Sequence, residues 1–298
     1  MKARDLADLL LLAAIWGASF LFMRVAVLEF GAIAMVELRV AIAAAMLLVF
    51  LAWRGALSQL RSHAAPMFLV GVINSALPFV LFGYALLTIP VGIASIINGV
   101  MPIWTALLAW LVLRERLRIT QWFGLVLGVA GVAVLVWDKL AFGRDPHAVA
   151  VMLAIGACLL ATVLYAVAAL FARRKLAGVD ASATAAGSQL GATLALLPFT
   201  FGSWPANAPG TGAWSATIAL GLVCTGLAYL LYFRLIKRAG TVWASSVTLL
   251  VPVFATAWAA VFLGEPITPR LLVGGAIVLT GTALALGLVG APRAIRPA

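Results

Sequence analysis

Charged residues are scarce in this 298-residue chain: they make up only 10% of it, whereas hydrophobic residues make up 65%. A water-soluble domain of this length needs many more surface charges, so the composition excludes an ordinary soluble protein. Apolar runs of about twenty residues recur along the whole chain, which is typical of helices that cross a membrane. The runs lack the alternation of membrane β-strands. We therefore predict an all-α polytopic membrane protein.

Cysteine and histidine are also scarce, with two of each. Cys158 and Cys224 lie inside apolar runs without neighbouring ligand residues, a pattern typical of small buried side chains. His63 and His147 fall in predicted loops on opposite sides of the membrane, where they cannot share a metal ion. No P-loop, GxGxxG, GxSxG or HExxH motif occurs in a suitable context. We expect no metal, no cofactor and no catalytic residue.

Ten membrane spans are predicted, and many of the loops between them contain Pro, Gly or charged residues. The spans are approximately Leu6–Val27, Ala32–Trp53, Pro66–Leu87, Pro90–Leu113, Thr120–Trp137, Ala148–Phe171, Ala181–Phe201, Ala213–Ile236, Thr241–Leu263 and Arg270–Val289.

Positive charge is concentrated in alternate loops. With a cytoplasmic N-terminus, fifteen of the 20 Lys and Arg residues lie on the cytoplasmic side: Lys2, Arg4, Arg54, Arg61, Arg114, Arg116, Arg118, Arg173, Arg174, Lys175, Arg234, Lys237, Arg238, Arg293 and Arg296. The outer side has Arg24, Lys139, Arg144 and Arg270. The positive-inside rule therefore predicts that both termini are cytoplasmic. The same asymmetry explains the net charge of +11 without a nucleic-acid partner.

The two halves of the chain resemble each other. The segment Pro90–Glu115 aligns without a gap with Gly240–Glu265, 150 positions later. The offset also relates three pairs of glycines, namely Gly71 and Gly221, Gly124 and Gly274, and Gly131 and Gly281. These matches indicate an internal repeat. Five spans per repeat is an odd number, so residues 1–140 and 141–298 are predicted to form two five-helix domains inverted in the membrane.

Three features carry a resemblance to a known family: Trp16–Phe20 (WGASF), Glu37–Arg39, and the paired Pro and Glu of spans four and nine. The chain resembles the drug/metabolite transporter superfamily, specifically its EamA-type ten-helix members, and within them bacterial exporters of aromatic amino acids and other metabolites. This resemblance implies a location in the bacterial inner membrane. It also implies a central cavity lined by spans one, three, four, six, eight and nine.

The second repeat departs from the first at two of these places. Tyr165-Ala166 lies opposite Trp16-Gly17, and Gln189 lies opposite Arg39. The two halves therefore need not contribute equally to a binding site.

Two ionisable residues, Glu37 and Arg39, lie inside a predicted span, where burial of charge is costly and functional roles are common. The guanidinium of Arg39 offers a planar fork of donors for a carboxylate. Alternatively, Arg39 braces the fold by bonding helix-end carbonyls or Glu29. Glu37 is a candidate for proton coupling.

Polar and aromatic residues recur at helical spacing on single faces of the spans, which indicates faces that point into the bundle. The cavity candidates are Trp16, Ser19, Phe20, Asn74, Ser75, Pro78, Phe79, Asn98, Met101, Thr105, Thr162, Tyr165, Thr225, Tyr229, Tyr232, Ser245 and Thr248. Hydrogen bonding between helices is the alternative role for each polar residue. Pro78, Pro102 and Pro252 are predicted to kink their spans.

The expected function is secondary transport, with export of small neutral or zwitterionic metabolites by alternating access. Amino acids with apolar or aromatic side chains are the favoured solutes, because the predicted cavity has few charges. Drugs or nucleotide-like solutes are the alternative cargo. A membrane-embedded enzyme acting on lipid-linked substrates is disfavoured by the shortage of intramembrane acids and bases. The expected partners are the solute and the lipid bilayer, and the pattern leaves monomer and dimer open.

Overall fold

The structure of the protein is a computed structural model that describes residues 3–140 and 146–288, apart from the side chains of residues 138–140, 146, 147 and 242. Lys2, Arg144, Arg293 and Arg296, which contribute to the predicted charge asymmetry, lie outside the described residues, as does Val289. The described parts of the chain are helices and short connections.

The first half contains helices α1 Ala3–Trp53, α2 Ser58–Ser62, α3 Ala64–Gly71, α4 Leu77–Leu86, α5 Val91–Asn98, α6 Met101–Leu113 and α7 Ile119–Leu140. The second half contains α8 Pro146–Lys175, α9 Ala181–Ser203, α10 Thr211–Gly221, α11 Ala228–Ala239, α12 Thr241–Ser245, α13 Val247–Leu263 and α14 Pro269–Ala285. Two π-helical segments, Val72–Ala76 and Leu222–Leu227, join α3 to α4 and α10 to α11.

Seven helical segments within the described residues are long and apolar enough to cross a membrane. They are Ala3–Trp53, Ala64–Leu86, Val91–Leu113, Ile119–Trp137, Ala148–Lys175, Thr211–Ala239 and Trp243–Leu263. Their outward faces carry large apolar side chains, such as Val49, Val126 and Val261, that would face water if no lipid covered them. The protein is therefore a multi-pass membrane protein.

The 51-residue helix α1 is divided by Gly31, whose φ of 70° and ψ of 171° are not helical. Glycine adopts this backbone conformation without the clash that a Cβ atom would cause. The break lies between the predicted spans one and two, so that the two arms of α1 correspond to these two spans. The chain reverses here with scarcely any loop.

The backbone repeats its irregular features at the offset of 150 residues. The π-helical segments begin at Val72 and Leu222. Helices α6 and α13 end at Leu113 and Leu263, each followed by a residue in the left-handed conformation. The backbone N–H groups of Glu115 and Glu265 then bond the carbonyl oxygens six residues earlier, at 3.4 and 3.2 Å. These features agree with the duplicated sequence pattern.

Glycines allow close helix contacts between the two halves, and these contacts are reciprocal. A Cβ atom at Gly71 would lie 2.7 Å from the backbone N of Ala192, and one at Gly221 would lie 2.6 Å from the Cβ atom of Ile42. Ala192 and Ile42 are themselves 150 residues apart. Each half therefore contacts the other through equivalent positions.

The pair formed by α7 and α14 follows the same rule. A Cβ atom at Gly124 would lie 2.7 Å from the backbone N of Ala285, and one at Gly274 would lie 3.2 Å from the Cα atom of Leu135. Leu135 and Ala285 are again 150 residues apart. Backbones can approach this closely only where side chains are minimal, which explains why glycines recur on these faces.

Polar contacts also join the halves at the end of α1. Asp180 accepts hydrogen bonds from the backbone N–H groups of Ser182 (2.8 Å) and Ala183 (3.3 Å) and so caps helix α9. Arg54 reaches both Asp180 (3.7 Å) and the Ser182 hydroxyl (3.1 Å). Burial alone would raise the pKa of Asp180, but its hydrogen bonds with Ser182 and Ala183 and the charge of Arg54 hold that pKa below its ordinary value.

Candidate functional site

Arg39 lies at the centre of the helix bundle with only 5% of its surface exposed. Its Nε atom donates to the Oγ1 atom of Thr225 at 3.0 Å, and its Nη1 atom donates to the sulfur of Met23 at 3.2 Å. The guanidinium carbon lies 3.7 Å from the centre of the Phe79 ring. Both arms of α1, helix α4 and the second π-helical segment therefore meet at this side chain.

The π-helical segment explains how Thr225 presents its hydroxyl. The Thr225 hydroxyl donates to the carbonyl oxygen of Leu220, five residues earlier, at 2.8 Å. This bond uses the hydroxyl proton and leaves the oxygen lone pairs to accept from Arg39. π-Helical turns are rare and are frequent at functional sites.

The first half repeats this arrangement with neutral groups. The Nε2 atom of Gln189 donates to the hydroxyl of Ser75 at 2.9 Å, and both side chains are buried. Gln189 is the repeat equivalent of Arg39, and Ser75 is the equivalent of Thr225. The Oε1 atom of Gln189 is buried without a hydrogen-bond partner among the described residues. The centre thus carries two equivalent polar pairs, of which one is charged.

Aromatic rings line the region beside Arg39. Tyr165 lies 6.5 Å from Phe79 and is stacked on Phe82 at 6.2 Å, measured between ring centres. Phe20 meets the edge of Phe82 at 5.5 Å. The amide of Asn74 donates to the hydroxyl of Tyr229 at 3.4 Å. Residues predicted on spans one, three, six and eight are therefore brought together.

A second aromatic group extends this wall along α11. Tyr232 lies 5.3 Å from Trp16, and Tyr229 is stacked on Phe233 at 5.9 Å. Trp16, Tyr229 and Tyr232 are only partly buried, which suits residues that face a cavity.

Several predicted hydroxyl groups bond their own helix instead. Ser19 donates to the carbonyl of Trp16, Thr105 to that of Met101, Thr162 to that of Leu159 and Thr248 to that of Ser245, at 2.6–3.1 Å. These bonds satisfy the hydroxyls without a second helix. Ser19 and Thr162 are also fully or almost fully buried, so packing accounts for them.

Asn98 and Met101 flank a break in the predicted fourth span. Helix α5 ends at Asn98 and α6 begins at Met101, with Gly99 and Val100 between them. Pro102 is the second residue of α6 and so begins a helix instead of kinking a continuous one.

The other two prolines have different settings. Pro78 is the second residue of α4, directly after the π-helical segment, whereas Pro252 lies within α13. Ser245 ends α12, so the predicted ninth span is also divided, at Ser246.

The two intramembrane ionisable groups do not pair. Glu37 is 5% exposed, and its Oε2 atom has no hydrogen-bond partner among the described residues. The expectation that Arg39 bonds Glu29 is wrong for this structure: Glu29 accepts a hydrogen bond from the backbone N–H of Gly210 at 2.6 Å. Arg39 reaches instead across the bundle, because its long side chain points away from the helix end.

Two surface clefts lie away from Arg39. One, of about 640 Å³, is an apolar groove between α1, α10 and α13 that includes Phe22, Ala216 and Trp258. The other, of about 500 Å³, surrounds Glu265 and includes Pro90 and Leu271. Neither is lined by the predicted cavity residues.

Sequence reasoning missed four residues of this centre: Met23, Phe82, Gln189 and Phe233. Three are apolar and share their composition with every other buried position. Gln189 had a signal, because the offset of 150 residues pairs it with Arg39 and pairs Ser75 with Thr225. The two hydrogen bonds are related by that offset.

The fold and its centre define a polytopic helical membrane protein built from repeated, reciprocally packed halves. The chain belongs to the EamA-like transporter family, whose sequence profile matches residues 7–137 and again residues 152–287. The protein is thus a member of a family of membrane transporters.

Individual relatives are similar over most of the chain. A "Probable terminal-alkyne amino-acid exporter" of Streptantibioticus cattleyicolor is 27% identical and covers 93% of this chain and 91% of its own. A "Probable amino-acid metabolite efflux pump" of Escherichia coli is 24% identical, with 94% of each chain covered. A solved crystal structure with 21% identity aligns with a TM-score of 0.69 over 97% of this chain and 98% of its own, which supports the fold.

Proposed function

We propose that this protein is a secondary transporter of the bacterial inner membrane that exports small zwitterionic metabolites by alternating access. Amino acids with apolar or aromatic side chains are its proposed solutes. The observation that carries this proposal is the reciprocal pair of contacts at the centre, Arg39 with Thr225 and Gln189 with Ser75, on the boundary between the two halves. The exporter and efflux names of two relatives support the solute class.

Ten membrane spans are part of the proposal. The division of α1 at Gly31 provides two spans, and α9 (23 residues) and α14 (17 residues) would add spans to the seven apolar segments. Both termini are then cytoplasmic, in agreement with the distribution of Lys and Arg.

The proposed domains are two inverted five-helix repeats, residues 1–140 and 141–298. Repeats with an odd number of spans have opposite orientations in the membrane. The reciprocal contacts of Gly71 and Gly221, and of Gly124 and Gly274, support a two-fold relation between them. Such repeats commonly rock against each other around a central site.

The proposed binding residues combine one cation with polar and aromatic groups. Arg39, Asn74 and Tyr229 would contact the polar part of the solute, and Phe79 and Tyr165 would contact its side chain. Few fixed charges and several aromatic walls suit a small solute with an apolar portion.

Transport into or out of liposomes tests the proposal. The purified protein is reconstituted, and the flux of twenty labelled L-amino acids is compared with that of empty liposomes. We expect saturable flux of one or more apolar or aromatic amino acids. Tyr229→Ala and Asn98→Ala should reduce this flux while expression stays normal. Flux no higher than in empty liposomes for the whole panel would refute amino-acid transport.

A further inference from the structure

Arg39 is a buried cation without an acidic partner among the described residues. Asp8, Glu115 and Asp180 form ion pairs with arginines near the helix ends. Glu29 and Glu265 accept hydrogen bonds from backbone N–H groups. A charge held away from water is costly unless it is paired, so an uncompensated guanidinium at this depth indicates a place for an anion.

The donors of Arg39 are only partly used. Nε bonds the Thr225 hydroxyl, and Nη1 bonds the sulfur of Met23, which is a weak acceptor. No hydrogen bond to Nη2 is present among the described residues. The Nη1–Nη2 edge therefore retains the geometry that binds a carboxylate through two parallel hydrogen bonds. Phe79 covers one face of the guanidinium and fixes its plane.

We propose that the Nη1–Nη2 edge of Arg39 binds the carboxylate of the transported solute, which displaces the sulfur of Met23. This assignment rests on the proposed function and narrows its solutes to carboxylates. The solute side chain would then lie along Phe79, Phe82 and Tyr165. Gln189, at the equivalent position, has no charge, so the carboxylate binds on the Arg39 side of the pseudo-two-fold axis.

Matched ligands test this assignment. Thermal unfolding of the purified protein is measured with each of twenty L-amino acids and with the corresponding amines that lack the carboxylate. A ligand that prefers the native state raises its apparent stability. We expect protection by one or more amino acids and none by their amines. Equal protection by amine and amino acid, or no protection by any amino acid, would overturn the assignment.

Variants separate binding from folding. Arg39→Lys keeps the positive charge but loses the planar fork, and should weaken protection by about tenfold in apparent affinity. Gln189→Ala, the matched control, removes the equivalent hydrogen bond and should keep the preference for carboxylates. Undiminished protection in a folded Arg39→Lys or Arg39→Gln variant contradicts the assignment.

The two proposals can fail separately. Carboxylate-dependent protection without flux would refute transport and leave the assignment of Arg39 intact. Flux that carries amines as well as amino acids would support transport and refute the assignment.

A second inference concerns the hairpin between α4 and α5. Arg24 donates to the carbonyl oxygen of Leu86. Glu265 accepts hydrogen bonds from the backbone N–H groups of Val91 at 2.9 Å and Gly92 at 3.3 Å. We call these three bonds the outer clasp, since the proposed topology places this hairpin on the outer side. The clasp joins the hairpin to α1 and to the end of α13.

The equivalent residues on the cytoplasmic side make different contacts. Arg174, the repeat equivalent of Arg24, donates to the carbonyl of Val112 at 3.3 Å. Glu115, the equivalent of Glu265, pairs with Arg173 at 2.5 Å and is 46% exposed. Among the described residues, Glu115 accepts no bond from the backbone of Thr241, and Arg174 makes none to Ile236. The hairpin between α11 and α12 is therefore not clasped.

Helix packing has the same asymmetry. Helix α4 packs against α1, whereas the equivalent helices α11 and α8 are not in extensive contact within the described ranges. The bundle is thus closed around the α4–α5 hairpin and looser around the α11–α12 hairpin.

We infer that the structure is the cytoplasm-open state, and that the two sets of contacts exchange when the protein opens outward. In the outward-open state Glu115 accepts bonds from the start of α12, Arg174 bonds the carbonyl of Ile236, and the outer clasp is released. This inference rests on the proposed inverted topology, since equivalent residues must then close opposite sides.

Cysteine accessibility tests the exchange. Ile93→Cys, beside the outer cleft, and Ser245→Cys, near the cytoplasmic hairpin, report on the two sides through labelling by a thiol reagent in detergent. The native Cys158 and Cys224 are buried and contribute little background. Glu265→Gln should increase labelling at residue 93 and decrease it at residue 245, by roughly threefold or more, because bonds to a charged acceptor are lost.

Glu115→Gln should shift the two labels in the opposite directions. Glu29→Gln is the matched control: it alters the same type of bond, at Gly210, and should leave both labels unchanged. Shifts of the same sign in Glu115→Gln and Glu265→Gln, or no shift in Glu265→Gln, would overturn the exchange. Opposite shifts without amino-acid flux would refute the solute and keep the exchange.

Discussion

The hydroxyl groups of Ser75 and Thr225 hold equivalent partners of different charge. Removal of either hydroxyl leaves a buried donor without an acceptor, and the cost of this is greater for a charged donor. Thr225→Val should therefore lower the free energy of unfolding by about 2 kcal/mol, and Ser75→Ala by about 1 kcal/mol. Chemical denaturation in detergent measures both. A larger loss for Ser75→Ala would contradict the charge assignment.

Glu37 is the residue for which coupling can be tested directly. If its carboxyl carries the coupled proton, Glu37→Gln should abolish transport driven by a pH gradient and retain exchange of labelled for unlabelled solute, which needs no net proton movement. The two assays in the same liposomes give the answer. Gradient-driven transport at the wild-type rate in Glu37→Gln would exclude this role.

Residue types at helical spacing predicted much of the aromatic and amide content of the centre, because such groups avoid lipid. They did not predict which hydroxyls face the cavity. Thr105 and Thr248 bond carbonyls of their own helix, and this option is open to any Ser or Thr in a helix. Met23 and Phe82 were missed because an apolar side chain carries no mark of its neighbour.

At the scale of single helices, the contact between α7 and α14 depends on glycine. A Cβ atom at Gly281 would lie 2.6 Å from the backbone N of Gly128, too close for any side chain. Gly281→Val should therefore separate the helices and lower the thermal unfolding temperature by several degrees.

Gly156→Val is the matched control for this contact, since a Cβ atom at Gly156 meets nothing within 4 Å. It should change the unfolding temperature little. Equal effects of the two substitutions in a thermal scan would show that β-branching, and not helix contact, is responsible.

Breaks inside the spans were harder to predict than the spans themselves. Proline indicated irregularity near residues 78 and 102, but composition does not distinguish a kink from a π-helical turn or a new helix. The π-helical segments at Val72 and Leu222 insert a residue without changing hydropathy. Only the repeat itself relates the two positions.

At the scale of the whole molecule, the inverted topology has a direct test. Arg116→Cys and Ile267→Cys place thiols in exposed connections that the topology puts on opposite sides of the membrane. In intact cells, a membrane-impermeant reagent should label the second and not the first, and both should react after permeabilisation. Labelling of both in intact cells would refute the inverted arrangement.

The duplicated pattern made most of the architecture predictable, because one offset predicted the equivalence of the span ends, the glycine contacts and the central pairs. It did not predict that Glu265 and Glu115 would differ. A sequence repeat assigns both residues the same partners, whereas one conformation of a two-state bundle can satisfy only one side at a time.

The glycine contacts of α7 and α14 have a mechanical consequence. One helix comes from each half, and their backbones touch too closely to slide apart, so this edge acts as the spine of a book whose covers are the two halves. A covalent staple along the spine should leave the pages free to turn, whereas one joining the α4–α5 hairpin to α13 would hold the book shut on that side.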